Sequence, residues 1–185
     1  MNADIEKYRI VNKLKSTYRF ASVGNRKESS AEHSWGCLLL ADYFLSSTRL
    51  DLDRVKVYEL LMYHDLVEIE AGDTPTAPGV SQDSKLERER QGAKKLSQKL
   101  PGILVAKYTE IFSEYVAQKT VEARFAAAID ALEAEIHELD YRQDWKGWTL
   151  EFLKAKKAHL FTEFPELKEV FVGITDYLVK EGYFI

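Results

Sequence analysis

Residues 60–69 have the sequence LLMYHDLVEI, and this stretch indicates both the fold class and the position of a functional site. Its apolar residues continue a pattern that begins at Val55 and recurs at the spacing of an α-helix. His64 and Asp65 interrupt this apolar pattern. The pattern therefore predicts a core helix, and the interruption indicates that this helix carries functional polar residues.

Helical periodicity dominates the rest of the chain as well. Residues 16–29 are polar and irregular around a Gly24-Asn25 turn signal, residues 74–80 are predicted to form an exposed loop, and we find no convincing strand. The fold class is therefore predicted to be all-α, a compact multi-helix bundle. The helices are expected at about residues 5–14, 30–46, 51–69, 81–99, from Pro101 onward, 118–140, 147–161 and 165–181.

Length and composition limit the class of protein. The 185 residues, 45% hydrophobic and 30% charged, suit one globular domain over residues 1–185. The longest apolar runs are five residues, so we expect no membrane span, and the N-terminus has no apolar signal segment. A single cysteine, Cys37, excludes an internal disulfide and favours a cytoplasmic location.

Charge argues against a nucleic-acid partner, because the net charge is −4. Residues 1–30 nevertheless carry seven Lys and Arg against three Asp and Glu. This basic segment could bind a small anion. Scattered surface charge without a binding role is an equally good interpretation.

Three helices carry polar residues at positions where a core is expected. Asp130 is surrounded by small residues that imply close packing, and a buried carboxylate needs a cation, a hydrogen-bond network or a metal. The alternative is that Asp130 faces solvent beside Arg124. His64 with Asp65, and His33 before the next apolar run, pose the same problem, although a lone core histidine usually has only a structural role.

Together, His33, His64, Asp65 and Asp130 form a mixed nitrogen and oxygen ligand set that suits a first-row divalent ion. Two imidazoles and two carboxylates leave coordination positions open on an octahedral ion, as catalysis requires. The sequence therefore favours a catalytic metal centre.

Two further acids extend this pattern. Glu68 shares the helix face of His64 and Asp65, and Asp73 follows the Gly72 break, so the two carboxylates can supply a general base and a general acid. The alternative is a solvated helix end on which both acids are exposed. His137 and His159 lie on polar helix faces and are expected at the surface.

Four segments in this order resemble the HD-domain metal-dependent phosphohydrolases, and among them the 5′-deoxynucleotidases and related HD-domain-containing proteins. The resemblance covers residues from about 15 to 135, with the helices at 147–181 expected to pack on that core. The matching segments are residues 31–35 (AEHSW), 63–68 (YHDLVE), 71–75 (AGDTP) and 129–133 (IDALE).

The resemblance implies an HD-type helical bundle holding one divalent metal ion, which could be Mn, Co, Fe, Zn, Ni or Mg. It implies that Glu68 and Asp73 handle the water and the protons, and that the Arg19-Phe20 pair binds the nucleotide, with Phe in place of the usual Trp. It also implies a homodimer. The metal ligands that it implies are His33, His64, Asp65 and Asp130.

The expected reaction is hydrolysis of (deoxy)nucleoside 5′-monophosphates to nucleoside and phosphate. Ile69 stands where guanosine tetraphosphate hydrolases of the superfamily carry a second acid, and histidines for a two-metal site are missing. The alternatives are an HD-family hydrolase of a cyclic nucleotide or a nucleoside triphosphate, or a non-catalytic helical regulatory module with a structural ion.

Overall fold

Helices occupy most of the computed structural model, which describes residues 3–80 and 85–184. The all-α prediction is confirmed. Four 3₁₀ segments extend or connect the helices, at Arg9–Ser16, His64–Val67, Arg142–Trp145 and Ala158–Phe161. The α-helices are α1 (Ala3–Tyr8), α2 (Ser30–Ser47), α3 (Arg54–Tyr63), α4 (Glu68–Ala71), α5 (Lys85–Ser97), α6 (Gly102–Ala117), α7 (Val121–Glu138), α8 (Leu150–Lys157) and α9 (Pro165–Lys180).

Local sequence signals explain where several helices begin. Ser29 and Glu32 form a reciprocal capping box at the start of α2. Asp53 accepts a backbone hydrogen bond at the start of α3, and Thr120 does the same for α7. The helix expected over 51–69 is divided, because the chain tightens into a 3₁₀ turn that begins at His64.

A β-hairpin occupies the region that was expected to be irregular. Strand β1 (Tyr18–Val23) pairs antiparallel with β2 (Arg26–Ser29), so the prediction of no strand is wrong here. Gly24 has a φ of 57°, as tight hairpin turns require. The carboxylate of Asp144 accepts hydrogen bonds from the Ser22 N–H and hydroxyl, and such tertiary support is what a marginal two-stranded ribbon needs.

Two groups of buried apolar side chains form the core. The larger group joins α2, α3 and α7 to the C-terminal helices, as the burial of Ile129, Leu153 and Phe171 shows. The smaller group joins the first 3₁₀ segment to α5 and α6 through Leu14 and Leu96. The C-terminal helices thus share a core with the helices that carry the candidate ligands, which supports our proposal of one domain.

The segment 74–80 is less exposed than expected. Ala77 is buried in the larger core, and Thr76 lines a cavity. Of the helix predicted at 81–99, residues 81–84 lie outside the described residues, and α5 accounts for most of the remainder. No helix within residues 3–80 and 85–184 is long and apolar enough to cross a membrane.

Candidate active site

Three separate helical elements bring the predicted metal ligands together. His33 comes from α2, His64 and Asp65 from the turn after α3, and Asp130 from α7. Ligand atoms of His33, His64, Asp130 and Cys37 lie within 4.8 Å of one another. Asp65 Oδ1 lies 3.2 Å from His64 Nε2, so the four predicted ligands are neighbours in space.

The His64 imidazole is oriented by the backbone. Its Nδ1 lies 2.7 Å from the Leu61 carbonyl oxygen, which can only accept a hydrogen bond. With the proton on Nδ1, Nε2 carries a lone pair. This atom is buried, has no hydrogen-bond partner among the described residues and lies near the Asp65 and Asp130 carboxylates. A buried lone pair beside carboxylates needs a cation, so the donor set fits a divalent metal ion.

The His33 imidazole is fully buried between two carboxylates. Its Nδ1 lies 2.5 Å from Glu133 Oε2, and its Nε2 lies 2.8 Å from Asp130 Oδ1. Metal-ligating histidines usually donate their second N–H to such a carboxylate, which orients the ring. Glu133 was not among the predicted site residues, although its position three residues after Asp130 places it on the same helix face.

Gly36 provides the space for Glu133. A Cβ atom at this glycine would lie 2.2 Å from Glu133 Oε1, too close for any real contact. The absence of a side chain in α2 therefore lets the Glu133 carboxylate reach His33.

Cys37 lies under His33, with Sγ 3.4 Å from Nε2. Burial raises the pKa of the Cys37 thiol to about 12, so the sulfur keeps its proton at neutral pH. Its Sγ lies in the same group of possible ligand atoms as His33, His64 and Asp130, and Cys37 was not among the ligands predicted from the sequence.

Asp130 faces the site and not bulk solvent. The hydroxyl of Tyr115 donates to its Oδ2 at 2.7 Å. Burial opposes ionisation, but the hydrogen bond from His33 and the charge of the nearby Arg19 hold the pKa of Asp130 well below its usual range. Arg124 instead pairs with Glu163, so the alternative in which Arg124 partners Asp130 is wrong.

The two predicted catalytic acids occupy different environments. Glu68 is buried, and its carboxylate accepts a hydrogen bond of 2.5 Å from the Ser30 hydroxyl. Burial, together with the charges of Asp65 and Asp73, raises the pKa of Glu68 well above its usual range. Because Glu68 is buried, the alternative of a solvated helix end is wrong for this residue. Asp73 is half-buried, and its carboxylate accepts a hydrogen bond from the Phe20 N–H at 3.3 Å.

Arg19 supplies positive charge beside the ligands. Its Nη1 lies 3.4 Å from Asp65 Oδ2, and its Nε lies 3.3 Å from Glu28 Oε2 without hydrogen-bond alignment. Burial opposes its charge, but Asp65 and the other nearby carboxylates raise the pKa of Arg19. The neighbouring residue Phe20 is 44% exposed, and Lys27 Nζ lies 4.7 Å from the centre of its ring.

His137 is not at the surface as expected. It is half-buried, and its Nε2 lies 2.8 Å from the Ser22 carbonyl oxygen, which ties α7 to the hairpin. His159 is exposed, as predicted. The helical pattern around His137 identified a polar face but not the hairpin that covers it.

A cavity of about 470 Å³ opens over the candidate ligands and suits a small organic molecule. Arg19, Phe20 and the predicted acids line one end. The other end reaches Glu138, Trp148 and Lys157. Lys157 forms an ion pair with the buried Glu135. None of these residues was among the predicted site residues.

Comparison with known proteins agrees with this helical fold and histidine–aspartate site. The model of a family described as HD domain matches residues 11–168, and the chain therefore belongs to the HD-domain family.

A crystal structure of a predicted metal-dependent phosphohydrolase from Magnetospirillum magnetotacticum MS-1 superposes with a TM-score of 0.84. It is 30% identical to this chain, and the match covers 97% of this chain and 92% of that one. This likeness agrees with membership of the HD-domain family, and the family implies a divalent metal.

Proteins named 5′-deoxynucleotidase HDDC2 are also similar. The human and bovine proteins are each 29% identical to this chain over 136 residues. The match covers 72% of this chain and 65% of each of those proteins, so the chain spans just under two thirds of their length.

Proposed function

We propose that this chain is a metal-dependent 5′-nucleotidase that hydrolyses (deoxy)nucleoside 5′-monophosphates to nucleoside and phosphate. The observation that carries the proposal is the unpartnered Nε2 of His64, buried beside two carboxylates at a cavity that also holds Arg19. Similarity to proteins named 5′-deoxynucleotidase supports this choice of substrate.

His33, His64, Asp65 and Asp130 would hold the metal ion. When bound, a divalent ion supplies Lewis-acid stabilisation of phosphoryl charge and lowers the pKa of coordinated water. Glu133 and the Leu61 carbonyl orient the two imidazoles, so that both Nε2 atoms face the carboxylates.

Glu68 orients the attacking water and accepts its proton. Its carboxylate faces the cavity and is oriented by the hydrogen bond from Ser30. A carboxylate in this position contributes as a general base while the water oxygen forms its bond to phosphorus. Positive charge at the neighbouring ligands would favour the ionised form that this role needs.

Asp73 is the acid that we assign to the leaving group. It lines the same cavity and is anchored to the hairpin through the Phe20 N–H. As the bond between phosphorus and the sugar oxygen breaks, Asp73 transfers a proton to that oxygen. Arg19 neutralises phosphate charge, and Phe20 forms an apolar wall for the nucleoside.

A phosphate-release assay on nucleoside monophosphates, both ribo and deoxy, tests this function with Mn²⁺, Co²⁺ and Mg²⁺ in turn. We expect metal-dependent release, and a loss of about 10²–10⁴-fold in turnover for Glu68→Gln with its metal content unchanged. The matched control is Glu70→Gln, since Glu70 pairs with Lys99.

The same assay separates the alternatives. Hydrolysis confined to cyclic nucleotides or nucleoside triphosphates would favour another HD-family reaction. A folded, metal-loaded protein without hydrolysis of any of these substrates would favour a regulatory module. Full activity in Glu68→Gln would remove Glu68 from the mechanism.

We also propose that the chain forms a homodimer. Trp35, Leu39 and Tyr43 recur every four residues along α2 and are 65%, 53% and 64% exposed. Exposed apolar patches of this kind mark interaction surfaces. Light scattering tests the proposal, and a dimer that dissociates in Leu39→Glu would support this surface.

A further inference from the structure

We infer that the carboxyl group of Glu138, at the far end of the cavity, binds the hydrogen-bonding edge of the nucleobase. This inference rests on the proposed nucleotidase function, because it assumes that the phosphate occupies the histidine–aspartate end of the same cavity.

The length of the cavity along α7 matches such a substrate. Asp130 and Glu138 both line it, and they lie eight residues apart on one helix, which corresponds to roughly 12 Å. Only the small side chains of Ala131 and Ala134 line the cavity between them on this helix. A nucleoside monophosphate that places its phosphate near Asp130 would therefore bring its base close to Glu138.

Strand β1 runs beside α7 between the same two ends. At one end Arg19 lies next to Asp65, and at the other the Ser22 carbonyl oxygen lies 2.8 Å from Nε2 of His137. Ala21 lies between them and also lines the cavity. The residues of the strand and the helix that line the cavity between these two ends thus include the small side chains Ala21, Ala131 and Ala134.

The Glu138 carboxyl group has no hydrogen-bond or ion-pair partner within residues 3–80 and 85–184. Its backbone carbonyl accepts a hydrogen bond from the Trp145 indole at 2.9 Å, which secures the end of α7. Neighbouring acids are already engaged, since Glu135 pairs with Lys157 and Asp144 accepts hydrogen bonds from Ser22. Glu138 is therefore the acid at this end that remains available to a ligand.

The charges at this end do not favour a second phosphate. Lys157 is already neutralised by Glu135, and Lys156 is exposed to solvent. Asp144 adds negative charge nearby. A neutral group with hydrogen-bond donors and acceptors, such as a nucleobase, fits this environment better than an anion.

The protonation state of Glu138 affects which bases fit. The pKa of Glu138 is raised to about 8, and burial is the main cause. The negative charges of Glu135 and Asp144 also raise it, whereas the positive charges of Lys157 and Arg19 lower it. A protonated carboxyl offers a donor and an acceptor side by side, and each of the common bases presents the complementary pair. The ionised form only accepts, and guanine alone presents two adjacent donors on that edge.

The test compares kcat/KM for nucleoside 5′-monophosphates with kcat/KM for deoxyribose 5-phosphate, which lacks a base. In Glu138→Leu we expect about a 10-fold loss for nucleotides and no change for deoxyribose 5-phosphate. Glu138→Gln should retain the nucleotide preference, because an amide also presents a donor beside an acceptor. The preference of the wild type for dGMP should rise above pH 8, and Glu138→Gln should abolish that rise.

Calorimetric binding of nucleoside monophosphates in the presence of Mn²⁺ separates the two proposals. Unchanged nucleotide kinetics and affinity in Glu138→Leu would overturn the base-binding role while the nucleotidase stands. Absence of turnover in the wild type, with nucleotide binding that Glu138→Leu weakens, would overturn the nucleotidase and support the role of Glu138.

Discussion

The two ends of the cavity differ in how their buried polar groups are paired. At the histidine–aspartate end, His64 Nε2 is buried beside carboxylates and has no hydrogen-bond partner in the part of the chain that the structure describes. At the opposite end, the buried charge of Glu135 is matched by Lys157. Since buried polar groups are normally satisfied within the protein, the unpartnered His64 Nε2 indicates where a cation belongs. At the opposite end the chain supplies its own cation, Lys157, and the carboxyl group of Glu138 is left for a neutral ligand.

Removal of a proposed ligand should have the largest effect. His64→Ala should abolish metal binding and lower phosphate release at least about 1000-fold, because the metal supplies several kcal/mol of transition-state stabilisation. Elemental analysis and the phosphate assay measure the two effects. His159→Ala is the matched control, since this histidine is exposed. Unchanged metal content in His64→Ala would contradict the ligand assignment.

Breaking the ion pair at the other end should affect stability. Lys157→Ala would leave Glu135 buried and unpaired, so we expect the free energy of unfolding to fall by about 3–5 kcal/mol. Urea denaturation measures this change, with the exposed Lys154→Ala as the control. A loss below about 1 kcal/mol would show that the pair behaves like a surface ion pair.

Glu133 provides a finer test of the metal end. Glu133→Gln should weaken Mn²⁺ affinity about 10–100-fold, because the carboxylate that orients the His33 ring is lost while the ligand itself remains. Titration calorimetry measures the affinity, and the exposed Glu169→Gln is the control. Equal affinities in the two variants would assign Glu133 a role in packing alone.

The smallest expected effect is on the pH dependence of stability. Folded Glu138 keeps its proton up to a pKa of about 8, whereas the unfolded chain releases it near 4.5, so stability should fall as the pH rises between these values. The carboxyl is partly open to the cavity, so we expect a contribution on the order of 1–2 kcal/mol. Glu138→Gln should lack this contribution. If the free energy of unfolding of the wild type and of Glu138→Gln changed with pH in the same way between pH 5 and 8, the raised pKa would be contradicted.

Much of the site was predictable because a polar residue in an apolar helix face is costly. His33, His64 and Asp130 stood out for this reason, and the structure brings them within a few ångströms. Glu68 was identified by its helical spacing from His64, and it lies buried at the cavity.

Residues on polar helix faces gave no such signal. Glu133 and Glu138 look like ordinary solvated acids in the sequence, and only the neighbouring elements make them distinctive. Glu133 becomes a partner of His33 because Gly36 leaves space for it. Glu138 faces a cavity because α8 and the hairpin enclose that side of α7.

The sequence by itself determined the helical class, the candidate ligands and the family, since helical periodicity and residue order are local or linear properties of the chain. Tertiary structure decided the hairpin, the orientation of each imidazole and the extent of the cavity. Those features depend on contacts such as Ser22 with Asp144, 122 positions apart, which no local pattern encodes.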